Sequence, residues 1–311
     1  MGQNYKTFVV VNPHSSGGRT EKAWPLIVDE LKKALGDFKF TLTERTGQAT
    51  ELTRSALKAG FEMVVSVGGD GTNNEVVNGF FENGQPINPA AAWAVICSGT
   101  GSDFIKTAEV PRDFCASVKH LFGTNCKPID VGWMRHKDHA GKMVERYFIN
   151  ITSFGVGGQV DALVNQSGKP FGGKAAFMWA TFRAGLFYRN QPVTITLDKG
   201  RALERKIFNL AVANGRFFGA GMQVAPMAKL DDGLFEVVIL GDLGIPARLK
   251  LGTAMPKGTH IGLPKIEHFS AREVKAESDE TVLLDVDGEQ PGSLPAEFKV
   301  IHKGIRFKIP G

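Results

Sequence analysis

The chain has 311 residues, which is more than one hydrophobic core usually organises, so we expect two domains. Its 42% hydrophobic and 22% charged residues are typical of a globular protein, and no apolar run approaches the roughly 20 residues that a membrane helix needs. The net charge is +5, and three cysteines without metal-ligand spacing, together with an N-terminus without a signal peptide, predict a soluble, cytoplasmic protein.

Residues 1–128 predict strands that alternate with helices. The pattern places strands at 7–11, 38–43, 64–68 and 93–97, and helices at 21–35, at 49–59 and directly after the third strand. This alternation is typical of a doubly wound parallel sheet, in which ligands bind outside the carboxyl ends of the strands. We therefore expect the polar loops that follow these strands to form a binding site.

The stretch from Gly68 to Glu75 follows a β-branched strand and opens an apolar-periodic helix. Glycines at such a joint let a ligand approach the backbone, and the free N–H groups at a helix N-terminus favour an anion. Asp70 would repel a phosphate there unless a cation or a transferable proton lies between them. The stretch therefore indicates metal-assisted phosphoryl chemistry, with a simple helix cap as the alternative role for Asp70.

Residues 129–299 predict an antiparallel sandwich or barrel, because strand-like segments follow one another without intervening helices. Two helices are predicted, at 173–188 and, more weakly, at 247–254, and the glycine-rich stretches 154–158 and 214–221 are expected to be loops. The strand-like segments are 147–152, 193–197, 207–213, 234–240, 265–276 and 281–286.

Two acidic clusters in this second region each contain an Asp-Gly pair, which is a strong turn signal. One is Asp231-Asp232-Gly233 and the other is Asp285-Val286-Asp287-Gly288-Glu289. Taken singly, each is more often a hairpin turn than a functional site.

The segment 165–206 holds eight basic and two acidic residues, and therefore more than the whole net charge of the chain. Large aromatic residues are interleaved with the charges. Such a patch suits an anionic membrane surface or a nucleic acid. The favoured alternative is a buried helix with solvated basic ends.

Taken in order, the motifs resemble those of the diacylglycerol kinase catalytic-domain family, which includes bacterial lipid kinases and the sphingosine and ceramide kinases. The resemblance extends over nearly the whole chain. It rests on Asn12-Pro13-x-Ser15-Ser16-Gly17-Gly18, Gly68-Gly69-Asp70-Gly71-Thr72-x-Asn74-Glu75, Gly99-Thr100-Gly101-x-Asp103-Phe104, Asp130-x-Gly132, Asn214-Gly215, Leu230-Asp231-Asp232-Gly233 and Asp287-Gly288-Glu289.

The resemblance implies a fold and a set of site residues. The fold is an N-terminal α/β nucleotide-binding domain, residues 1–128, and a C-terminal β-sandwich for the lipid, residues 129–299, with the active site in the cleft between them; the segment from about 300 to 311 is a candidate to return to the first domain. The nucleotide would be held by Asn12, Pro13, His14, Ser15, Ser16, Gly17, Thr43, Gly68, Gly69, Asp70, Gly71, Thr72, Asn73, Asn74 and Thr100.

The resemblance also implies the remaining roles. Asp103 and Asp130 would help to place Mg²⁺ through water, and Asp232 with the carbonyls of Lys229 and Leu234 would form a second, structural Mg²⁺ site. Glu289 is the expected catalytic base, with Asp70 as the competing assignment.

The function expected from this resemblance is ATP- and Mg²⁺-dependent transfer of the γ-phosphate to a lipid hydroxyl, diacylglycerol-like or sphingoid, at a peripheral membrane surface. The alternatives are an NAD kinase-like enzyme with a soluble acceptor and a catalytically silent lipid-binding module. No nucleic-acid partner is expected. The oligomeric state stays open, a homodimer included.

Overall fold

The computed structural model describes residues 5–98, 102–166, 181 and 183–309. The chain divides into two compact units, Met1–Val131 with His302–Gly311, and Gly132–Ile301. Each unit has its own hydrophobic core.

The first unit contains a parallel sheet in the order β6-β3-β1-β2. The end of the last strand of the chain, β19, adds to β6 in parallel, with Arg306 opposite Ala92. The elements of this unit are β1 Thr7–Val11, α1 Ser15–Leu35, β2 Phe38–Leu42, α2 Gln48–Lys58, β3 Met63–Gly68, α3 Asp70–Gly79, β4 Phe81–Glu82, β5 Gln85–Pro86, β6 Ala92–Cys97, α4 Asp103–Thr107 and α5 Phe114–Lys119.

The central strands β3 and β6 of the first unit are buried along their whole length. Their apolar, β-branched composition predicts this, because such runs are typical of strands covered on both faces of a parallel sheet. Helix α1 packs Ile27 and Leu31 onto one face of the sheet and ends at Gly36, whose positive φ of 71° suits a glycine. Its first residues are not regular helix, because Ser16, Gly17 and Gly18 have positive φ. The regular helix therefore begins after Gly18, close to its predicted start at residue 21.

The second unit contains two antiparallel arrangements of strands. One runs β16-β15-β12-β9-β18, and the other runs β11-β10-β17-β19, with β7 and β8 paired as a hairpin. Its elements are β7 Cys126–Asp138, β8 Met143–Phe148, β9 Ile151–Gly155, α6 Val156–Gln166, β10 Gln191–Leu197, β11 Leu203–Ile207, β12 Asn209–Ala213, β13 Phe217–Phe218, β14 Met222–Gln223, β15 Phe235–Leu240, α7 Ile245–Ala254, a 3₁₀ turn Met255–Lys257, β16 Ile266–Ala271, β17 Glu273–Glu277, β18 Leu284–Val286 and β19 Gly292–Lys308.

The core of the second unit collects inward side chains from both arrangements of strands. Phe148 stacks on Phe235, and Phe154 stacks on Phe298. Aliphatic side chains of β10, β12, β15 and β18 complete the same cluster. The expected fold class, a doubly wound parallel sheet followed by an antiparallel β-sandwich, is confirmed.

Several local predictions for the second unit were wrong. The glycine-rich stretch 154–158 is not a loop, since helix α6 begins at Val156, and strands β7 and β19 were not predicted. The segments 147–152, 207–213 and 265–276 each contain parts of two strands rather than one. The helix predicted at 173–188 is confirmed at residues 181 and 183–187, whereas residues 173–180 and 182 lie outside the described residues.

Candidate active site

Three loops of the first unit come together at the carboxyl ends of β1, β3 and β6. The Asn12 amide nitrogen donates to Thr72 Oγ1 at 3.0 Å, which ties the first loop to the start of α3. The Ser16 hydroxyl donates to the carbonyl of Ser98 at 2.9 Å, which ties the first loop to the third. The binding loops that the sequence predicts are therefore neighbours in this unit.

The turn between β3 and α3 depends on Gly68. A Cβ at this position would lie 2.5 Å from Thr72 Oγ1, so the strand and the helix could not approach as they do. Extended Gly69 then leads into α3 at Asp70. This arrangement leaves the helix N-terminus facing the loops, where its N–H groups favour an anion.

Two predicted nucleotide residues in α3 have buried structural partners. Asn73 accepts a hydrogen bond from the Ser66 hydroxyl at 2.7 Å, and the Trp93 indole donates to the same hydroxyl at 3.1 Å. Asn74 is also buried and accepts from the Asn78 amide. The Asn73 side chain holds α3 against the sheet, whereas the Asn74 contact lies within α3, and neither contact could be derived from the motif alone.

Glu75 of α3, which the motif contains but the site assignment omits, holds the loop that follows the second strand. Its carboxylate accepts from the backbone N–H groups of Gly47 and Ala49 and so anchors the start of α2. Thr43 is buried, and its N–H donates to the carbonyl of Val11 at 2.8 Å. Thr100, another predicted nucleotide residue, lies outside the described residues.

Asp70 and Asp103 meet at the start of two helices. The backbone N–H of Asp103 donates to Asp70 Oδ2 at 3.2 Å, and the buried Asp103 carboxylate is paired with Lys106 at 2.7 Å. Carboxylate oxygens are the ligands that Mg²⁺ prefers, and it commonly completes its shell with water and phosphate oxygens. The two acids therefore fit a magnesium-nucleotide site.

Asp130 is fully buried near the end of the first unit. Its Oδ1 atom accepts from the Lys303 backbone N–H at 2.6 Å and lies 2.9 Å from His302 Nδ1. Both partners are on β19, so the carboxylate joins the two chain segments that complete this unit. These contacts support a positioning role besides the expected contact with a hydrated ion.

The acidic turn of the second unit is a two-residue hairpin loop. Val286 and Glu289 exchange backbone hydrogen bonds at 2.8 and 3.0 Å, and the intervening Asp287 and Gly288 both have positive φ, 48° and 89°. This is the type I′ geometry that Asp-Gly favours. Glu289 leaves the turn with 36% of its side chain exposed and forms an ion pair with Arg146.

The other acidic turn leaves Asp232 exposed. Its Oδ1 atom accepts from the Leu234 N–H at 3.1 Å, and Gly233 takes a positive φ of 75°. An exposed carboxylate is a suitable ligand for a hard cation, and the ion site that it would form with the carbonyls of Lys229 and Leu234 stays a prediction. Within the described ranges, no group of three or more His, Cys, Asp or Glu side chains is arranged to hold a metal.

Sequence reasoning missed an apolar cavity of ≈ 280 Å³ in the second unit. Its residues come from α6, α7 and several strands, so no local periodicity indicates it. Among the residues that the structure describes, Asp161 is the one carboxylic acid that lines this cavity. The apolar lining includes Val160, Phe208, Met222, Leu240, Leu251 and Met255.

Two large apolar side chains are exposed on the surface of the second unit. Phe187 is 80% exposed and Leu249 is 60% exposed, and Leu249 also lines the cavity. In the part of the chain that the structure describes, no helix combines the length and the apolar character needed to cross a bilayer.

In the comparison with known proteins, each of the two units matches a family model. Residues 6–134 match the model of the diacylglycerol kinase catalytic domain, and residues 150–307 match the YegS C-terminal NAD kinase beta sandwich-like domain. A diacylglycerol kinase of Staphylococcus carnosus is 30% identical over 305 residues, which is 97% of this chain and 94% of that protein.

The solved structures agree on the fold. A crystal structure of a candidate diacylglycerol kinase from Bacillus anthracis has a TM-score of 0.79 at 24% identity and covers 99% of this chain and 97% of its own. Yeast NADH kinase in complex with NADH has a TM-score of 0.51 at 11% identity, with 99% of this chain and 84% of that one covered. From the two domain matches and the near full-length relative, this chain belongs to the diacylglycerol kinase family.

Proposed function

We propose that this protein is a lipid kinase that transfers the γ-phosphate of Mg·ATP to a lipid hydroxyl. The observation that carries the proposal is the contact between Asp70 and Asp103 at the N-terminus of α3. Phosphoryl transfer needs positioning and charge neutralisation more than covalent chemistry. A helix N-terminus with two adjoining acids supplies places for both the phosphates and their cation.

The nucleotide binds along the loops that meet at the strand ends. Asn12 to Gly17, Thr43, Gly68 to Asn74 and Thr100 hold it, largely through backbone groups of the glycine-containing turns. Asp103, Asp70 and Asp130 orient the hydrated Mg²⁺, which neutralises charge on the phosphates when it is bound. Asp232, with the carbonyls of Lys229 and Leu234, would hold a second, structural Mg²⁺.

The apolar cavity favours a lipid acceptor. A soluble acceptor such as NAD needs hydrogen-bonding groups along its length, whereas the cavity is lined mostly by aliphatic, aromatic and methionine side chains. A lipid would place its acyl chain there. The alternatives remain an NAD kinase-like enzyme and a silent lipid-binding module.

Glu289 acts as the base toward the lipid hydroxyl. A carboxylate that takes this proton typically contributes about 10²- to 10⁴-fold in rate. Its ion pair with Arg146 selects one orientation of the side chain, and its partial exposure leaves room for a substrate. Asp70 is the competing candidate, but its place beside Asp103 suits nucleotide and metal binding better.

Contact with a membrane surface is the last part of the proposal. Exposed Phe187 and Leu249 lie among basic residues such as Arg183 and Lys250 in sequence, so apolar insertion and attraction to anionic lipid act together. Sedimentation with anionic vesicles tests this contact: binding falls with salt and with Phe187→Ser. Binding that is indifferent to both would contradict it.

The acceptor is identified by incubating the protein with labelled Mg·ATP and separate acceptors: diacylglycerol, phosphatidylglycerol, sphingosine, ceramide and NAD. We expect label in a lipid product and none in NAD. Label in NAD alone would replace the lipid assignment by the NAD kinase-like one. No label in any acceptor, with nucleotide still bound, would favour the silent module.

A further inference from the structure

Helix α6 packs unusually closely against the strands that precede the acidic turn. A Cβ on Gly157 would lie 2.4 Å from Ser153 Oγ, and one on Gly158 would lie 2.4 Å from the carbonyl of Leu283. The two glycines therefore let the first turn of the helix lie directly on β9 and β18. This close approach brings Asp161, in the next turn, to Asp285 of β18.

The two side chains form a buried pair of carboxylic acids. Asp285 is fully buried, Asp161 is only 7% exposed, and the two are in hydrogen-bonding contact. Among the described residues, Asp161 Oδ2 has no conventional donor within hydrogen-bonding distance. A contact between two carboxyl groups requires a proton on one of them, since two adjacent buried carboxylates repel each other strongly.

The electrostatic surroundings keep that proton on the pair. Burial, and then the adjoining Asp161, raise the pKa of Asp285 well above its ordinary value. Burial raises the pKa of Asp161 to about 6, although the bond from Asp285 opposes that rise. The pair therefore keeps one proton at neutral pH, held between the two carboxyl groups. The other charges that face the pair are Asp287 and Glu289, both acidic, and Arg146 lies on Glu289.

Asp285 also binds the turn that follows it. Its Oδ1 atom accepts from the Gly288 N–H at 3.0 Å, one residue before Glu289. On the other side of the turn, the Asp287 carboxylate accepts from three successive backbone N–H groups at 3.1 to 3.2 Å, those of Ile149, Asn150 and Ile151. The conformation of the turn therefore depends on the orientation of both buried side chains.

We propose that Asp161 and Asp285 share one proton and together hold the hairpin turn that presents Glu289, which makes Asp161 a positioning residue for the reaction. The proposal rests on the proposed function, in which Glu289 is the base. Asp161 is 128 residues from Glu289 in the chain and outside every motif of the family resemblance. Its effect passes through Asp285 and the Gly288 N–H.

The proposal predicts different outcomes for two substitutions in the pair. Asp285→Asn keeps a donor toward Asp161 and an acceptor for Gly288, because a side-chain amide has both. Asp161→Ala removes the acceptor and leaves the Asp285 acid without its partner. Since a misplaced reacting group commonly costs up to about 10²-fold, we expect kcat to fall about 10- to 100-fold in Asp161→Ala. The KM for ATP stays unchanged.

The test measures kcat and KM for ATP with the lipid acceptor in Asp161→Ala, Asp161→Asn, Asp285→Ala and Asp285→Asn. We expect Asp285→Asn to restore most of the activity that Asp285→Ala loses. The control is Asp113→Ala, which removes the cap of α5 in the first unit and lowers stability without touching the turn. A folded Asp161→Ala and a folded Asp161→Asn that both keep the parent kcat would overturn the positioning role.

A spectroscopic readout separates this proposal from the proposed function. Infrared spectra at pH 7 should show the carbonyl band of a protonated carboxylic acid in the parent and in Asp113→Ala, and its loss in Asp285→Asn. Absence of that band from the parent would overturn the shared proton even in an active enzyme. If no acceptor is phosphorylated, the proposed function fails while the band still decides whether the proton is shared.

Discussion

The two units build their polar sites in different ways. In the first unit, the candidate nucleotide loops follow buried strands directly, and their contacts link short motifs such as Asn12 with Thr72 and Asp70 with Asp103. In the second unit, Glu289 pairs with Arg146, and its turn is held by Asp285 and, through Asp287, by the backbone at residues 149–151, which are scattered over the chain. A site made of backbone and loops is visible as a motif, whereas a site supported by buried side chains becomes visible only in the folded unit.

The largest expected effect is on the chemical step. Glu289→Gln removes the proposed base while keeping the shape of the side chain, so we expect kcat to fall about 10²- to 10⁴-fold. Nucleotide affinity and the thermal midpoint should stay close to those of the parent, because Glu289 is partly exposed and lies in the second unit. Single-turnover rates, nucleotide titration and thermal unfolding measure these three quantities.

Asp70→Asn is the matched variant in the first unit. We expect it to weaken binding of Mg·ATP, because the substitution removes charge beside Asp103. A normal single-turnover rate in Glu289→Gln, together with an abolished rate and intact ATP binding in Asp70→Asn, would transfer the role of base to Asp70.

Acid should change the stability contributed by His120 in the first unit and by Asp161 in the second unit in opposite directions. Burial lowers the pKa of His120 in the first unit from 6.5 to about 4, so the unfolded chain binds this proton first and stability is lost as pH falls from about 6.5 to 4. Burial raises the pKa of Asp161 in the second unit from 3.8 to about 6, so the native state binds this proton first and stability is lost as pH rises from about 4 to 6. Each contribution amounts to about 3 kcal/mol.

Chemical denaturation from pH 4 to 7 measures both contributions. Relative to the parent, His120→Leu should gain in the free energy of unfolding as pH falls, and Asp161→Asn should gain as pH rises. Curves for either variant that run parallel to the parent curve would show that the corresponding group does not titrate as described.

A smaller effect is expected from the glycine at the end of β3. Gly68→Ala places a methyl group 2.5 Å from Thr72 Oγ1, so the turn must shift, at a cost of about 1 to 3 kcal/mol in unfolding free energy. Nucleotide binding should weaken with it. Gly252→Ala, in α7, meets nothing within 4 Å and serves as the control, with stability unchanged or slightly raised. Equal stability of the two variants would contradict the close approach at Gly68.

The smallest effect concerns the second ion. If Asp232 holds Mg²⁺, a concentration about ten times the Kd stabilises the parent by about 1.4 kcal/mol, since the ion binds only the native state. Thermal unfolding of Asp232→Ala should show no such gain, and its activity should be lower. Asp231→Ala is the neighbouring control. If Asp232→Ala shows the same Mg²⁺-dependent rise in thermal stability as the parent, the stabilising ion binds at a site other than Asp232.

Most strands, helices and binding loops of the first unit could be predicted from the sequence alone. Its strands are β-branched or apolar runs, its helices are amphipathic, and glycines such as Gly36 mark their ends. Parallel strands separated by helices bring the following loops to one edge, which is why the motif residues near Asn12, Gly68 and Ser98 could be expected to meet. The type I′ turn at Asp287 and Gly288 was similarly implied by its residue types.

The sequence by itself therefore determined the family, the two fold classes and the identity of the motif residues, because those follow from local composition and order. Only the tertiary structure decided that the glycines at 157 and 158 begin a helix, that Asp161 meets Asp285, and that residues of α6, α7 and several strands enclose an apolar cavity. Each of these depends on contacts between segments far apart in the chain, and local pattern carries no information about such contacts. The protonation of the Asp161–Asp285 pair depends further on burial, which exists only once those segments have packed.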